Sequence, residues 1–309
     1  MNILIFTQPF PMGNYKLNEV IARMLASNYE VAVVEQLNGR PADVEYINQL
    51  IEFKPDIIYY EMLDIETFNL IAKYFKRSLK ILCCTSLGVL KSVDKILEYK
   101  GIYYDKILTN SKYIYDVMVP SVQSAHFKYY LSVIDPIEQL KYKLEYEHEC
   151  VFLGMGFNRQ TSKDYELERN IFFNDATSKL KIYGVGWNDI KNYNGVLPPN
   201  DIGNLYYSSN SAISIIAKSQ RELGMINNRY TEIINSMCPV ISIKYPSVDW
   251  FGMDKFINFV DSKDSFNFVV KSFNDDDYRF ERVTSAIRYF QDNFNGEFEF
   301  KLKKLMELE

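Results

Sequence analysis

The run Asn227-Asn228-Arg229-Tyr230-Thr231-Glu232 sets a cation and a carboxylate three residues apart, just ahead of the apolar pair Ile233-Ile234. On a helix this spacing puts Arg229 and Glu232 on one face, with Asn228 in position to cap. The N–H groups of a helix start and a guanidinium both suit the oxygens of a pyrophosphate. A carboxylate one turn later could accept hydrogen bonds from ribose hydroxyls. The same residues would equally make a capped helix with an ordinary surface ion pair. A second candidate is Phe152-Leu153-Gly154-Met155-Gly156-Phe157-Asn158-Arg159. Here Gly154 and Gly156 would let backbone N–H groups approach a phosphate, with Phe157, Asn158 and Arg159 completing the turn. A plain tight turn explains the glycines as well, and the run is neither a P-loop nor a full dinucleotide fingerprint. A third is Leu180-Lys181-Ile182-Tyr183-Gly184-Val185-Gly186-Trp187, followed by Gly195-Val196-Leu197-Pro198-Pro199. A strand ending at Gly184 opens space for a planar ring, and the backbone of Val196 and Leu197 could pair with the edge of a base. Strand, loop and capped helix is the plainer reading.

Elements that would position these residues follow from periodicity. Apolar runs at Asn2–Thr7, Glu30–Glu35, Asp56–Glu61, Lys80–Thr85, Lys106–Thr109 and Ala125–Tyr129 alternate with helical patterns such as Leu17–Ala26 and Ile65–Tyr74. Continuous apolar strands separated by helices imply a parallel sheet covered on both faces. Charged, helix-compatible sequence from Pro136 to Glu149 interrupts the rhythm, including the basic and aromatic stretch Lys141 to Tyr146, which reads as a solvated helix face. A second series then begins: Cys150–Gly154, Lys179–Tyr183, Ala212–Ile216, Pro239–Ile243 and Phe256–Phe259, with helices near Asp201–Tyr207 and Arg229–Ser236. The expected organisation is α/β, with two Rossmann-like doubly wound domains (1–148 and 149–275) facing a central cleft. Terminal helices over 276–309 would pack back toward the N-terminal domain.

Composition narrows the chemistry. The chain has 309 residues, enough for two cores, and carries a net charge of −5,. No apolar stretch reaches the roughly 18 residues of a membrane span. Met1 to Thr7 reads as a buried strand without a signal-peptide pattern, which favours the cytoplasm. Cys83, Cys84, Cys150 and Cys238 share no metal or redox spacing and are expected as buried free thiols,. With His126 and His148 the only histidines, a zinc site is not expected, although carboxylates could hold a hard cation,. The negative charge supplies no global attraction to nucleic acid but does not forbid a local basic groove.

Taken in order, Tyr183-Gly184-Val185-Gly186-Trp187, Gly195-Val196-Leu197-Pro198-Pro199 and Asn228-Arg229-Tyr230-Thr231-Glu232 resemble the donor half of GT-B glycosyltransferases, especially the CgeB-like group, over about Glu149 to Asp261. The resemblance implies a nucleotide-diphosphate sugar donor of UDP type as a co-substrate, with no tightly bound cofactor. It would place the diphosphate on Arg229 and the turn Gly156 to Arg159, the ribose on Glu232 and the base at Val196 to Leu197.

A narrower resemblance is to phage DNA β-glucosyltransferases. It rests on Asp135-Pro136-Ile137-Glu138-Gln139, Gly154 to Arg159, Tyr183-Gly184, Arg229 to Glu232 and the segment Val31 to Gly39. It implies a hydroxymethylated pyrimidine in double-stranded DNA as acceptor and, for a phage protein, the host cytoplasm as location. The family's acidic general base follows a threonine at a strand end, and the matching position here, after Thr85, is Ser86. Glu61 and Asp64, just beyond the strand Asp56–Glu61, are then the carboxylates available at a suitable sheet end, although strand-end and helix-cap roles suit them too. The loop Gln8 to Lys16 offers acceptor-side contacts through Gly13, Asn14 and Lys16. A DNA groove would draw on Lys16, Lys91, Lys95, Lys112 and Arg159. A glycan or small-molecule hydroxyl is the alternative acceptor, favoured by the acidic balance. A noncatalytic nucleotide-sugar binding protein is the alternative of another class, motivated by Ser86.

Overall fold

The computed structural model describes residues 1–7, 15–37, 43–61, 64–84, 92–126, 139–156, 159–174, 179–187 and 190–308, with only the backbone of 15–17. The chain divides into two compact units, one of Met1–Leu131, Glu222–Met225 and Gly296–Glu309, the other of Ser132–Arg221 and Ile226–Asn295.

The first unit is built on β1 (Asn2–Thr7), β2 (Glu30–Glu35), β3 (Ile57–Glu61), β4 (Leu79–Cys84), β5 (Lys106–Thr109) and β6 (Gln123–His126). All pair in parallel, in the order β2-β1-β3-β4-β5-β6. β1 and β3 are buried along almost their whole length, as strands covered on both faces must be,. The helix Ile65–Tyr74 turns Phe68 and Ile71 onto the sheet, and the helix Glu297–Leu305 packs against β5 and β6.

The second unit holds β7 (Cys150–Leu153), β8 (Leu180–Tyr183), β9 (Ala212–Ile213), β10 (Val240–Ser242) and β11 (Asn258–Phe259), again all parallel, ordered β11-β10-β9-β7-β8. Counted from its own first strand, the second sheet repeats the first sheet's winding: the second strand lies outside the first, and the third lies on its other side. In such a sheet the winding reverses between the first and third strands, and the crevice at their carboxyl ends takes ligands. The reversal falls between β1 and β3 in one unit and between β7 and β9 in the other.

The expected strands are present, some with trimmed ends, and β4 begins one residue early, at Leu79, with Thr85 outside the described residues. Ala125–Tyr129 is shifted, since β6 begins at Gln123 and its continuation lies outside the described residues. The helix-compatible reading of Pro136 to Glu149 is corrected over its described part. Residues 139–149 are irregular apart from short turns, because side-chain partners from elsewhere hold them out of a helix. Lys143 pairs with Asp201 at 2.5 Å and its N–H bonds the Ser208 hydroxyl at 2.9 Å. The terminal segment also divides: the helix Asp276–Phe294 belongs to the second unit and Glu297–Leu305 to the first. All four cysteines are buried free thiols.

Candidate functional site

Glycines bind the loops after β7 and β8 into one layer. Gly184 has φ +121°, and a Cβ there would lie 2.2 Å from the Gly154 carbonyl oxygen; a Cβ on Gly156 would lie 2.4 Å from that of Gly186. Backbone bonds Gly154 N–H to Tyr183 (3.0 Å) and Gly156 N–H to Val185 (2.8 Å) lock this approach. The expectation that Gly156 offers a free N–H to phosphate is therefore corrected: its donor is spent on Val185, and the glycine serves backbone packing. Trp187, buried against Phe152 and Phe173, donates to the Gly154 carbonyl at 2.7 Å and seals the layer from below.

Arg159 leaves this turn with its side chain half-buried. Its Nη1 donates to the Met155 carbonyl at 2.6 Å, while Nε is buried without a hydrogen-bond partner among the described residues. No described carboxylate pairs with it. Burial, and then the nearby Arg229 cation, hold the Arg159 guanidinium below its ordinary range despite opposing contributions from Tyr165 and Glu168. Asn158 and Phe157 lie outside the described residues.

Arg229 opens the helix Arg229–Asn235, which carries the chain from β9 to β10, so its start lies at the carboxyl end of the sheet. The predicted face is present: Arg229 Nη1 lies 3.3 Å from Glu232 Oε2 and donates to the Tyr206 hydroxyl at 3.0 Å. Asn228 stands at the cap but makes no side-chain cap; its Nδ2 instead donates to Glu232 Oε1 at 2.6 Å. This corrects the expected capping role, because Asn228 has helical rather than extended dihedrals and its side chain is turned along the helix,. Burial pushes the Glu232 carboxyl up, against the pull of Arg229 and Asn228. Burial disfavours the Arg229 cation too, but Tyr206 and Glu232 more than offset it and raise it above its ordinary range.

The base-loop candidates sit beside the glycine layer. Gly195 accepts from the Gly184 N–H at 2.9 Å, and the Tyr193 hydroxyl donates to the Gly184 carbonyl at 2.8 Å. Leu197 is buried and Val196 is half exposed; among the described residues their backbone N–H and C=O groups make no hydrogen bond.

Three residues of this end of the sheet escape a sequence reading. Arg221, after β9, donates to Glu168 at 2.9 Å, and Tyr245, after β10, donates to the same oxygen at 2.7 Å. Glu168 is 1% exposed, so the pair is a buried one,. Both Arg159 and Arg221 approach the Tyr165 ring, at 5.4 and 5.9 Å from its centre. Arg221 could have been noticed as a base beyond a strand end, whereas the burial of Glu168 has no local signal.

In the first unit Glu61 ends β3 and is 2% exposed, with the Tyr59 hydroxyl donating to it at 3.2 Å. It borders the reversal between β1 and β3. Asp64 caps the helix Ile65–Tyr74 and accepts from the N–H and the hydroxyl of Thr67, each at 2.9 Å. Its alternative structural role is thus the one observed. Ser86, Gly13, Asn14 and the side chain of Lys16 lie outside the described residues. Among the described residues no cluster of three or more His, Cys, Asp or Glu side chains could hold a metal ion, and no helix is long and apolar enough to cross a membrane.

This pair of parallel sheets is the GT-B glycosyltransferase fold, and solved structures with that fold match along the whole chain. One is a mutant of T4 phage β-glucosyltransferase in complex with UDP-glucose, at 13% identity and TM-score 0.66, covering 100% of both chains. Another is Anabaena HepE in complex with UDP and glucose, at 10% identity and TM-score 0.58, covering 98% of this chain and 100% of that one. A trehalose-6-phosphate synthase matches at 8% identity and TM-score 0.58 over 99% of each. No protein-family model matches the chain, and no curated protein sequence does. The resemblance drawn from the sequence therefore holds for the fold.

Proposed function

We propose that the chain is a glycosyltransferase that uses a UDP-type sugar donor held by the second unit. The observation that carries this reading is Arg159, a partly buried cation whose Nε has no hydrogen-bond partner and which pairs with no carboxylate among the described residues; the Arg229 cation adds to the repulsion it feels. A diphosphate would relieve that repulsion and accept from both guanidiniums. Glu232, held by Asn228 and Arg229, would take the ribose hydroxyls, and the free backbone of Val196 and Leu197 the base. As the bond from the anomeric carbon to the diphosphate oxygen breaks, charge grows on that oxygen, and the two arginines would stabilise it.

The first unit would take the acceptor. Glu61, at the sheet reversal, is the carboxylate suited to remove the proton from the attacking hydroxyl, since Asp64 is spent on its helix cap. For the acceptor we favour a hydroxymethylated pyrimidine in DNA, supported by the full-length likeness to a DNA-modifying β-glucosyltransferase. A glycan or small-molecule hydroxyl is the second reading. It is supported by the net charge of −5 and by Lys95 and Lys112, whose charges are offset by Glu98 and Asp116.

The test is incubation with UDP-glucose and hydroxymethylated duplex DNA at low salt, following both free UDP and labelled DNA. Labelled DNA supports the full reading. Release of UDP only in the presence of a glycan moves the acceptor to the second reading. An intact donor with every acceptor leaves a nucleotide-sugar binding protein.

A further inference from the structure

A cavity of 760 Å³ opens in the second unit, well within the range of small-molecule sites,. Its residues Glu147, Asn210 and Met237 directly precede β7, β9 and β10. It therefore lies at the amino ends of the strands, the opposite end of that sheet from Arg229. Nothing in the donor reading uses it.

Two kinds of group line it. Tyr142, Tyr207 and Phe280 are 56%, 38% and 61% exposed, and such aromatic surface left in water at the rim of a cavity offers flat apolar faces to a ligand,. Between them run planar polar groups already tied to each other. Arg279 Nη1 donates to Asn210 Oδ1 and its Nη2 lies 2.7 Å from Asp276 Oδ1, while the Tyr142 hydroxyl donates to Glu147. Asn210 Nδ2 in turn donates to Asn274 at 3.2 Å. The polar groups are thus held in place before any ligand arrives, which lowers the cost of ordering them.

Charge excludes one ligand class. Glu147, Asp276 and Asp277 oppose a phosphate or other anion, while Arg279 pairs with Asp276 and the Tyr142 hydroxyl donates to Glu147, so that two of the three carboxylates are already engaged,. Fixed donors and acceptors side by side, with aromatic faces, suit a neutral ligand rich in hydroxyls and carrying C–H faces. We infer that this cavity is a second carbohydrate site that binds a neutral oligosaccharide, separate from the site of the sugar nucleotide.

The test uses the full chain with maltotriose, cellotriose and chitotriose in turn, by saturation-transfer NMR and calorimetry. Phe280→Ala and Tyr142→Ala remove exposed rings, so both variants should keep the wild-type melting temperature. At least one trisaccharide is expected to bind, and each substitution is expected to weaken it by about tenfold or more. The inference is overturned if no trisaccharide binds at up to about 10 mM, or if both variants bind as the wild type does. Spermidine binding that the same substitutions abolish would also overturn it, by making the cavity a cation site.

Discussion

Arg229 and Glu232 were recognisable as a pair because helical spacing alone puts them on one face, but their neighbours decide what they can do. Tyr206 and Asn228 hold the guanidinium and the carboxylate in fixed directions rather than turned to water. Loss of a charge-assisted hydrogen bond costs about 1–3 kcal/mol. Arg229→Ala and Glu232→Ala are each expected to weaken UDP-glucose binding by that amount in calorimetry, and Arg159→Ala by a similar one. Unchanged affinity in all three would remove the donor assignment. The raised Glu232 carboxyl gives a signed pH dependence. Its charge is lost on acidification at a pH above the ordinary glutamate value of 4.5, so donor affinity should fall with a midpoint higher than that. Glu232→Gln should flatten this step, and a midpoint at or below the ordinary value would contradict the buried geometry.

Loops after β7 and β8 show how an element places such residues. Both glycine turns were legible as turns, but their meaning was not. The glycines are needed because two backbones approach within a side chain's width of each other, and neither loop's sequence carries the position of the other. Gly184 and Gly195 separate the effects. Both have positive φ, +121° and +92°, yet only a Cβ on Gly184 meets backbone, at 2.2 Å, while that on Gly195 has nothing within 4 Å. Gly195→Ala should cost the strain of the dihedral alone, about 1–2 kcal/mol, and Gly184→Ala distinctly more, about 3 kcal/mol or above, since a clash is added. Urea denaturation of the two variants measures the difference. Equal losses would mean that the close approach is not what fixes the glycine.

The first unit closes its core with chain drawn from far along the sequence. It takes in Leu223 and Met225, with the Ser111 hydroxyl donating to the Leu223 carbonyl at 2.7 Å. It also takes in the helix Glu297–Leu305, where the buried Lys106 donates to the Leu305 carbonyl at 2.8 Å and pairs with Glu307 at 2.5 Å. Phe298, Leu302, Leu305 and Met306 are almost fully buried. At about 1.5–3 kcal/mol for each such side chain, their burial is comparable with the whole stability margin of a domain. A chain ending at Asn295 is expected to lose the cooperative unfolding of its first unit. Limited proteolysis would then cut within 1–126 at a protease level that leaves the full chain intact, and equal resistance would show the helix to be dispensable.

Strand and helix periodicity, the two series of βα elements and the helix face bearing Arg229 and Glu232 follow from local order, since an element's own side chains decide which face is apolar. The proposal that Arg229, Gly184 and the Val196–Leu197 turn belong to one site rests on their sequence order and a family resemblance. The closed pairing of Arg221 and Tyr245 with Glu168, the lack of a carboxylate partner for Arg159 among the described residues and the spent N–H of Gly156 could not be read that way. They depend on which residues of separate loops meet at the carboxyl ends of β7 to β10. A buried carboxylate and an exposed one are the same letter in a sequence, and only packing determines which partner each finds and at what cost in solvation.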